Sequence, residues 1–192
     1  MAAESLLTVR VYRAGALARA GHNHVIASHE LAGTVYVSPE IERTSCHLAV
    51  PVDSLTVDEP ELRAREASEE EFPREVPQSA REATRRNMLS DAVLDALHHP
   101  AVEVRCLRIS LPQAGRASAA LEIRVRARSS LVTVPLGYAL KAGELSLEGE
   151  LALKQSELGL TPFSALLGAL QVQDEMRISF RIVARAAATS SR

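Results

Sequence analysis

The feature that most constrains this chain is a series of segments in which apolar and polar residues alternate. Ala119, Leu121, Ile123, Val125 and Ala127 interleave with Glu122, Arg124, Arg126 and Arg128. Leu145, Leu147, Gly149, Leu151 and Leu153 interleave with Ser146, Glu148, Glu150 and Ala152, and Val172, Met176, Ile178, Phe180 and Ile182 with Gln173, Glu175, Arg177, Ser179 and Arg181. Val132, Val134, Leu136, Tyr138 and Leu140 form another such set. A period of two with one apolar side is the signature of a strand with one face buried and one in water.

The same pattern occurs earlier, in Leu7, Val9 and Val11, in Val35 and Val37, and in Cys46, Leu48, Val50 and Val52. Pro51 marks an edge, a bulge or the end of that third strand. After Pro100, Val102, Val104 and Cys106 alternate, and then the phase slips so that Leu107, Ile109 and Leu111 carry the apolar side. One extra residue near Cys106 and Leu107 predicts a β-bulge. This makes about eight strands with short links between the later ones, as antiparallel hairpins require. An open sheet would leave two edges and an uncovered apolar face, so the expectation is a mostly β fold closed into an eight-stranded antiparallel barrel.

Between the third and fourth strands the periodicity changes, predicting one or two short helices. Residues 79 to 97 read as helical in two pieces, with Ser79 as N-cap and Glu82 completing a capping box. Val93, Leu94 and Leu97 form the apolar stripe of the second piece. His98 and His99 are expected to cap the C-terminus. Residues 58 to 75, rich in carboxylates and broken by Pro60 and Pro73, read as a solvated connector.

Length and charge narrow the function. A chain of 192 residues suits a single domain spanning 1 to 192, with a sizeable core. A net charge of -2 offers nothing to nucleic acid or an anionic membrane as a whole, and 3% aromatics leaves few stacking platforms. No apolar run approaches the ~18 residues of a transmembrane helix. The N-terminal residues lack a basic start followed by a long apolar run, so a cytoplasmic location is the expectation. Cys46 and Cys106 fall on the apolar phase of two strands and read as buried free thiols.

Chemistry-bearing motifs are sparse. His22 and His24, with His29 nearby, would point the same way on a strand and are the candidates for a metal-binding or metal-dependent, stress-related protein. Two imidazoles do not complete a site. There is no nucleophile elbow, phosphate-cradling glycine loop or dinucleotide fingerprint, so neither a catalytic set nor a cofactor is expected.

The segment TRRNMLSDAVLDALHHPAVEVRCLRI resembles the central signature of the YceI-like family, in which a helix leads through a Pro into a strand. LVTVPLGYAL and LEGELALKQSELGLTPFSALLGALQVQDEMRISFRI resemble later parts of that family, and the resemblance spans most of residues 6 to 184. It implies an extended, lipocalin-like barrel around an apolar tunnel that binds isoprenoid or other lipid-like chains without catalysis. Carried onto the inward phases read above, it nominates Val9, Val35, Leu48, Val50, Val104, Leu121, Val125, Val134, Leu147, Met176 and Phe180 as lining. The chain departs from the family in its His-rich AGHNHVIASHE stretch and in the absence of a recognisable leader.

The leading expectation is therefore a non-enzymatic binder or carrier of an isoprenoid, quinone or fatty-acyl chain. The alternatives are the metal reading and a solid-core barrel that serves as an interaction module. Strand-edge pairing or an apolar patch could make it a homodimer.

Overall fold

In the computed structural model, which describes residues 5–66 and 70–186, hydrogen bonds join the alternating segments into one antiparallel sheet of eleven strands. The strands are β1 (Leu6–Ala14), β2 (His24–Ser28), β3 (Ala32–Tyr36), β4 (Ser45–Pro51), β5 (Thr56–Val57) and β6 (Ala101–Gln113). They continue with β7 (Arg116–Val125), β8 (Arg128–Lys141), β9 (Glu144–Lys154), β10 (Ser164–Ala165) and β11 (Leu170–Arg185). The order across the sheet is β3-β4-β6-β7-β8-β9-β11-β1-β2-β5, and β10 pairs with β11.

The expected closed eight-stranded barrel is thus an open, curled sheet. Its two ends, β3 and β5, have no ladder between them. Yet β2 and β3 are joined by only three residues, which span roughly 14 Å at full extension. The sheet therefore has to curl until its ends are near each other. The chain between β5 and β6 packs on the β5 end of the sheet, where Arg85 donates to the carbonyls of Leu55 and Asp53.

That chain holds two α-helices, α1 (Pro60–Arg63) and α2 (Gln78–Leu89). It first crosses the outer face of β2, where Leu62 and Phe72 pack on Val25 and Ala27, joined by Leu6 and Tyr12. The Tyr12 and Phe72 rings meet edge to face at 5.6 Å. It then passes to the inner face, where Met88 and Leu89 of α2 join the main core. The connector is therefore not simply solvated: Asp58, Leu62, Arg63, Phe72 and Val76 are buried within it.

This wrapping explains why β2 carries no alternation in its sequence. Covered on both faces, all five of its residues are buried. A period of two is visible only where one face meets water.

The main core lies at one end of the curl. Val50, Val125, Leu153 and Met176 from the sheet meet Leu94 from the turn after α2 and Leu158 from a short 3-10 turn. The helix ends at Leu89, earlier than expected, and residues 90–99 continue as turns. Pro77, not Ser79, occupies the N-cap, and it offers no side-chain hydrogen bond there. Glu82 accepts instead from Gln78 Nε2 at 2.8 Å. His98 and His99 consequently cap no helix, and His98 pairs with Asp95 at 2.8 Å.

The bulge at Cys106 is present as a register shift between Cys106 and Arg108. It turns Leu107 out to 54% exposure and returns Ile109 to the inner side, opposite Ala119. Leu111 lies beyond it near the hairpin tip, within a second shift between Ser110 and Gln113. On the outer face, cross-strand ion pairs Arg124–Glu103 (3.4 Å), Arg105–Glu122 (3.6 Å) and Arg185–Glu144 (3.1 Å) fill the wet phase.

Cys46 and Cys106 are not free thiols. They form a disulfide between β4 and β6, with Cα atoms 4.9 Å apart. The sequence placed both on apolar phases, but only the register of these two strands, sixty residues apart, sets them opposite each other. The bond fastens the β3–β4 pair, which is laddered to the rest of the sheet only over the five residue pairs between β4 and β6. For a closed loop of this length the chain-entropy relation gives roughly 4 kcal/mol. Reduction, or the Cys46→Ser/Cys106→Ser variant, is expected to lower the unfolding free energy by about 2–4 kcal/mol in urea titrations. An unchanged midpoint would show that the bond adds nothing to the fold.

Candidate ligand-binding face

All eleven residues nominated as lining stand on one side of the sheet. The pairs Val9–Ile178, Phe180–Gly149, Ile182–Leu147, Leu147–Tyr138, Val134–Ala119, Leu121–Cys106 and Val104–Leu48 place them in common register. Their surroundings divide them, however. Val50, Val125 and Met176 belong to the packed core, with Val9 against it, and Val134 is also buried. Val35, Leu48, Val104, Leu121, Leu147 and Phe180 lie beyond that core and are half-buried.

These six residues describe a trough. One end is plugged by α2, the turn at Val93–Ala96 and Leu158. Toward the other end, at the β6–β7 and β8–β9 hairpins, the apolar phase continues through the buried Ala117, Ala119 and Val134, and its cover thins only at the outermost positions. Val37, Leu111 and Leu140 there are 49%, 45% and 57% exposed. Gly149 contributes by lacking a side chain, because a Cβ there would sit 2.7 Å from the Phe180 ring. Its absence lets the ring lie flat along the wall. The disulfide shares this face with Val104 and Leu48.

The sheet also carries two clefts. One of about 370 Å³ is bounded by Glu103, Arg105, Glu122 and Arg124 on the outer face. The other, about 500 Å³, lies among Arg116, Tyr138, Glu148 and Arg181 near the open rim. The first is walled largely by charged groups, whereas the second also takes in Gly137, Ala139, Val183 and the nominated Leu147.

The histidine-rich stretch forms a buried latch. Asp58, held at φ 55, a conformation Asp tolerates better than most residues, follows β5 directly. Its backbone N–H donates to Val25 O at 2.7 Å, and its Oδ1 accepts from Val25 N–H at 2.9 Å. Oδ2 lies 2.6 Å from His24 Nδ1, and Oδ1 also takes Arg63 Nη1 at 2.6 Å. Arg63 donates further to the carbonyls of Asn23 (2.9 Å) and Pro73 (2.8 Å). On the far side of the imidazole, Nε2 is 3.1 Å from Thr84 Oγ1 on α2.

Hydroxyl, imidazole and carboxylate thus stand in the order of a proton relay. The geometry serves attachment rather than reaction: the ring is covered, Asp58 is shared with Arg63, and neither cleft opens onto it. With Asp58 ionised, Nδ1 carries the proton and donates, which orients the ring toward Thr84. Burial alone would raise the Asp58 carboxyl, but the hydrogen bonds from His24 and Val25 and the charges of His24 and Arg63 outweigh it and lower it. The His22 imidazole is lowered first by burial and then by the neighbouring His24, Arg13 and Arg63.

The metal reading finds no support in this arrangement. Both nitrogens of His24 are engaged, the His22 ring centroid is 6.1 Å away, and His29 pairs with Glu59 at 3.1 Å. Among the described residues, no group of three His, Cys, Asp or Glu side chains is placed to hold a metal ion. Asp58, Arg63 and Thr84 were invisible to sequence reasoning, because their partners lie between 5 and 60 positions away.

Removing the Asp58 carboxylate would leave Arg63 buried without its counter-charge. Asp58→Ala is expected to cost about 3–5 kcal/mol, and Asp58→Ala/Arg63→Met to recover part of it. The pH response has a defined sign. Both groups bind protons more readily in the unfolded chain, so stability rises with pH through each window. As pH falls, stability should first decline below about 6.5 as His22 titrates in the unfolded chain, and again below about 4 as Asp58 does. Urea midpoints measured from pH 8 to pH 3 test this. A flat profile, or stability that increases on acidification, contradicts it.

No protein-family model and no curated protein sequence matches the chain. Solved structures do. BcnA of Burkholderia cenocepacia superposes with a TM-score of 0.67 at 15% identity, covering 94% of this chain and 96% of its own. A polyisoprenoid binding domain from Saccharophagus degradans, implicated in plant cell wall breakdown, gives 0.60 at 10% identity over 95% and 94%. The YceI protein of Campylobacter jejuni gives 0.59 at 8% identity over 84% of each chain. At such identities the likeness is one of architecture, and in architecture the chain has the fold of the YceI and polyisoprenoid-binding structures.

Proposed function

We propose that this protein is a non-enzymatic binder or carrier of a long apolar chain of the isoprenoid, quinone or fatty-acyl type. The observation that carries the reading is the apolar phase that continues past the packed core, half-buried and covered by no helix among the described residues. A solid-core module would end its apolar residues where the core ends. Here Val35, Leu48, Val104, Leu121, Leu147 and Phe180 continue beyond it, with Val37, Leu111 and Leu140 at the mouth. The polyisoprenoid binding domain with the same fold supports this choice of ligand class.

The energetics suit such a ligand. Each methylene removed from water contributes ~0.8 kcal/mol, so affinity accumulates along a chain without polar contacts. The plugged end sets a limit: a chain enters from the hairpin end and stops at the core. The scarcity of large rings leaves Phe180 as the one bulky side chain among the six.

The disulfide favours an oxidising compartment over the cytoplasmic location expected from the N-terminal residues, because structural disulfides are rare in the reducing cytosol of most organisms. Its place on the trough wall ties the compartment to the site, since reduction would release the β3–β4 wall.

Native mass spectrometry with lipid extraction is the direct test. Within a homologous series, affinity should rise about tenfold for every two added methylenes until the trough is full. Leu121→Lys and Leu147→Lys should each weaken binding at least about tenfold, because an ammonium group has no partner on that wall. Their unfolding midpoints should stay near wild type. Binding that ignores chain length, or survives both substitutions, would contradict the assignment.

A further inference from the structure

Two loops at the plugged end make a surface that the trough does not explain. Residues 14–21, AGALARAG, and 165–170, ALLGAL, contain only Ala, Gly and Leu apart from Arg19. Exposed turns are ordinarily built from Ser, Asn, Asp, Gly and Pro. Here Leu166 and Leu167 are 67% and 108% exposed, beside an exposed Leu17.

The tip is held rigidly in this form. Leu166 and Leu167 lie at φ 52 and 54, a left-handed conformation that branched and bulky side chains rarely adopt. Strain of this kind persists only where the surroundings impose it. Leu17 N–H donates to Ala169 O at 2.8 Å, Ala169 N–H to Leu166 O at 3.1 Å, and Val172 N–H to Phe163 O at 3.0 Å. Gly15 lies so close to Ala169 that a Cβ would fall 2.5 Å from its carbonyl oxygen. The two loops therefore form one unit that holds leucines out in water.

Charge selects the partner. In a chain that is 24% charged, residues 158–173 contain no charged side chain, and residues 13–28 contain Arg13, Arg19, His22 and His24 but no carboxylate. A stable protein interface takes about 20–30 residues a side, whereas this tip exposes Ala16, Leu17, Arg19, Ala20, Leu166 and Leu167. A small apolar point with a cationic neighbour and no acid matches the boundary between lipid headgroups and acyl chains.

We propose that the tip formed by Leu17, Leu166 and Leu167, with Arg19 beside it, docks the protein on an anionic phospholipid bilayer. The leucines enter the headgroup–acyl boundary and Arg19 meets lipid phosphate. Docking this way holds the trough mouth, at the opposite end of the sheet, away from the bilayer. The inference is independent of whether the trough carries a lipid.

Vesicle flotation of the full chain tests it, using phosphatidylcholine vesicles with and without phosphatidylglycerol. The wild type should float with the mixed vesicles, several-fold less with phosphatidylcholine alone, and less as salt is raised. Leu166→Gln/Leu167→Gln should lower the partition coefficient roughly tenfold or more. The single Leu167→Gln variant, at a wholly exposed position, should show a smaller loss and serves as the control if the double variant fails to fold. Circular dichroism establishes that each variant is folded. Failure of the wild type to float at low salt would overturn the proposal, as would unchanged flotation of the variants. Concentration-dependent dimerisation in sedimentation velocity that the variants abolish would assign the tip to a second copy of this chain instead.

Discussion

The Asp58 carboxylate, placed against the edge of β2, is the interaction on which the rest of the architecture depends. β5 pairs with β2 for only two residues, at Ile26 and Ala27. Asp58 continues that pairing by one more residue, with its own N–H on Val25 O and its side chain on Val25 N–H. A carboxylate here does what a further strand residue would do, and at the same position turns the chain away from the sheet. Arg63 and His24 neutralise the buried charge and tie it to the two elements that flank the edge. An ion group of this kind adds less to net stability than its short distances suggest. What it specifies is the route of the chain.

That route gives the sheet its shape. Because the connector crosses the outer face of β2 and returns beneath it, both faces of the β5 end of the sheet are covered. The edge of β2, otherwise a pairing hazard, is covered. Ser28 and Ser54 meet across this region at 2.8 Å, and Ser54 donates to Pro51 O at 2.7 Å, so side chains supply part of what a closed ladder would. The packed core gathers at the end where α2 arrives. Among the described residues the other end keeps an apolar lining without a matching plug, and the disulfide holds its outermost wall. An apolar trough open at one end is then a consequence of plugging a curled sheet at the other.

The later strands were legible because each is wet on one side. Alternation reports the difference between two faces, and from β6 to β9 and in β11 that difference is large. Which residues share the inner face could be read, since a period of two leaves a single choice for each strand. Which of those residues are core could not be read, because Val125 and Leu121 share one strand and one phase. β2 was hidden by its burial on both faces, and the connector by carboxylates such as Glu61, Glu70 and Glu75 that surround the buried Leu62 and Phe72. The disulfide and the Asp58 latch depend on tertiary juxtaposition. No local pattern encodes a partner sixty positions away.

The central claim is that the apolar strip beyond the core, and not the core or the outer patch, receives a long apolar chain. Methyl NMR of the protein with a bound polyprenol tests it most directly, with Leu and Val methyls labelled. The account predicts intermolecular contacts to the methyls of Val35, Leu48, Val104, Leu121 and Leu147, and none to those of Val25 and Leu62 on the far side of β2. Contacts confined to Val25 and Leu62, or to exposed outer-face positions such as Leu107, would contradict it.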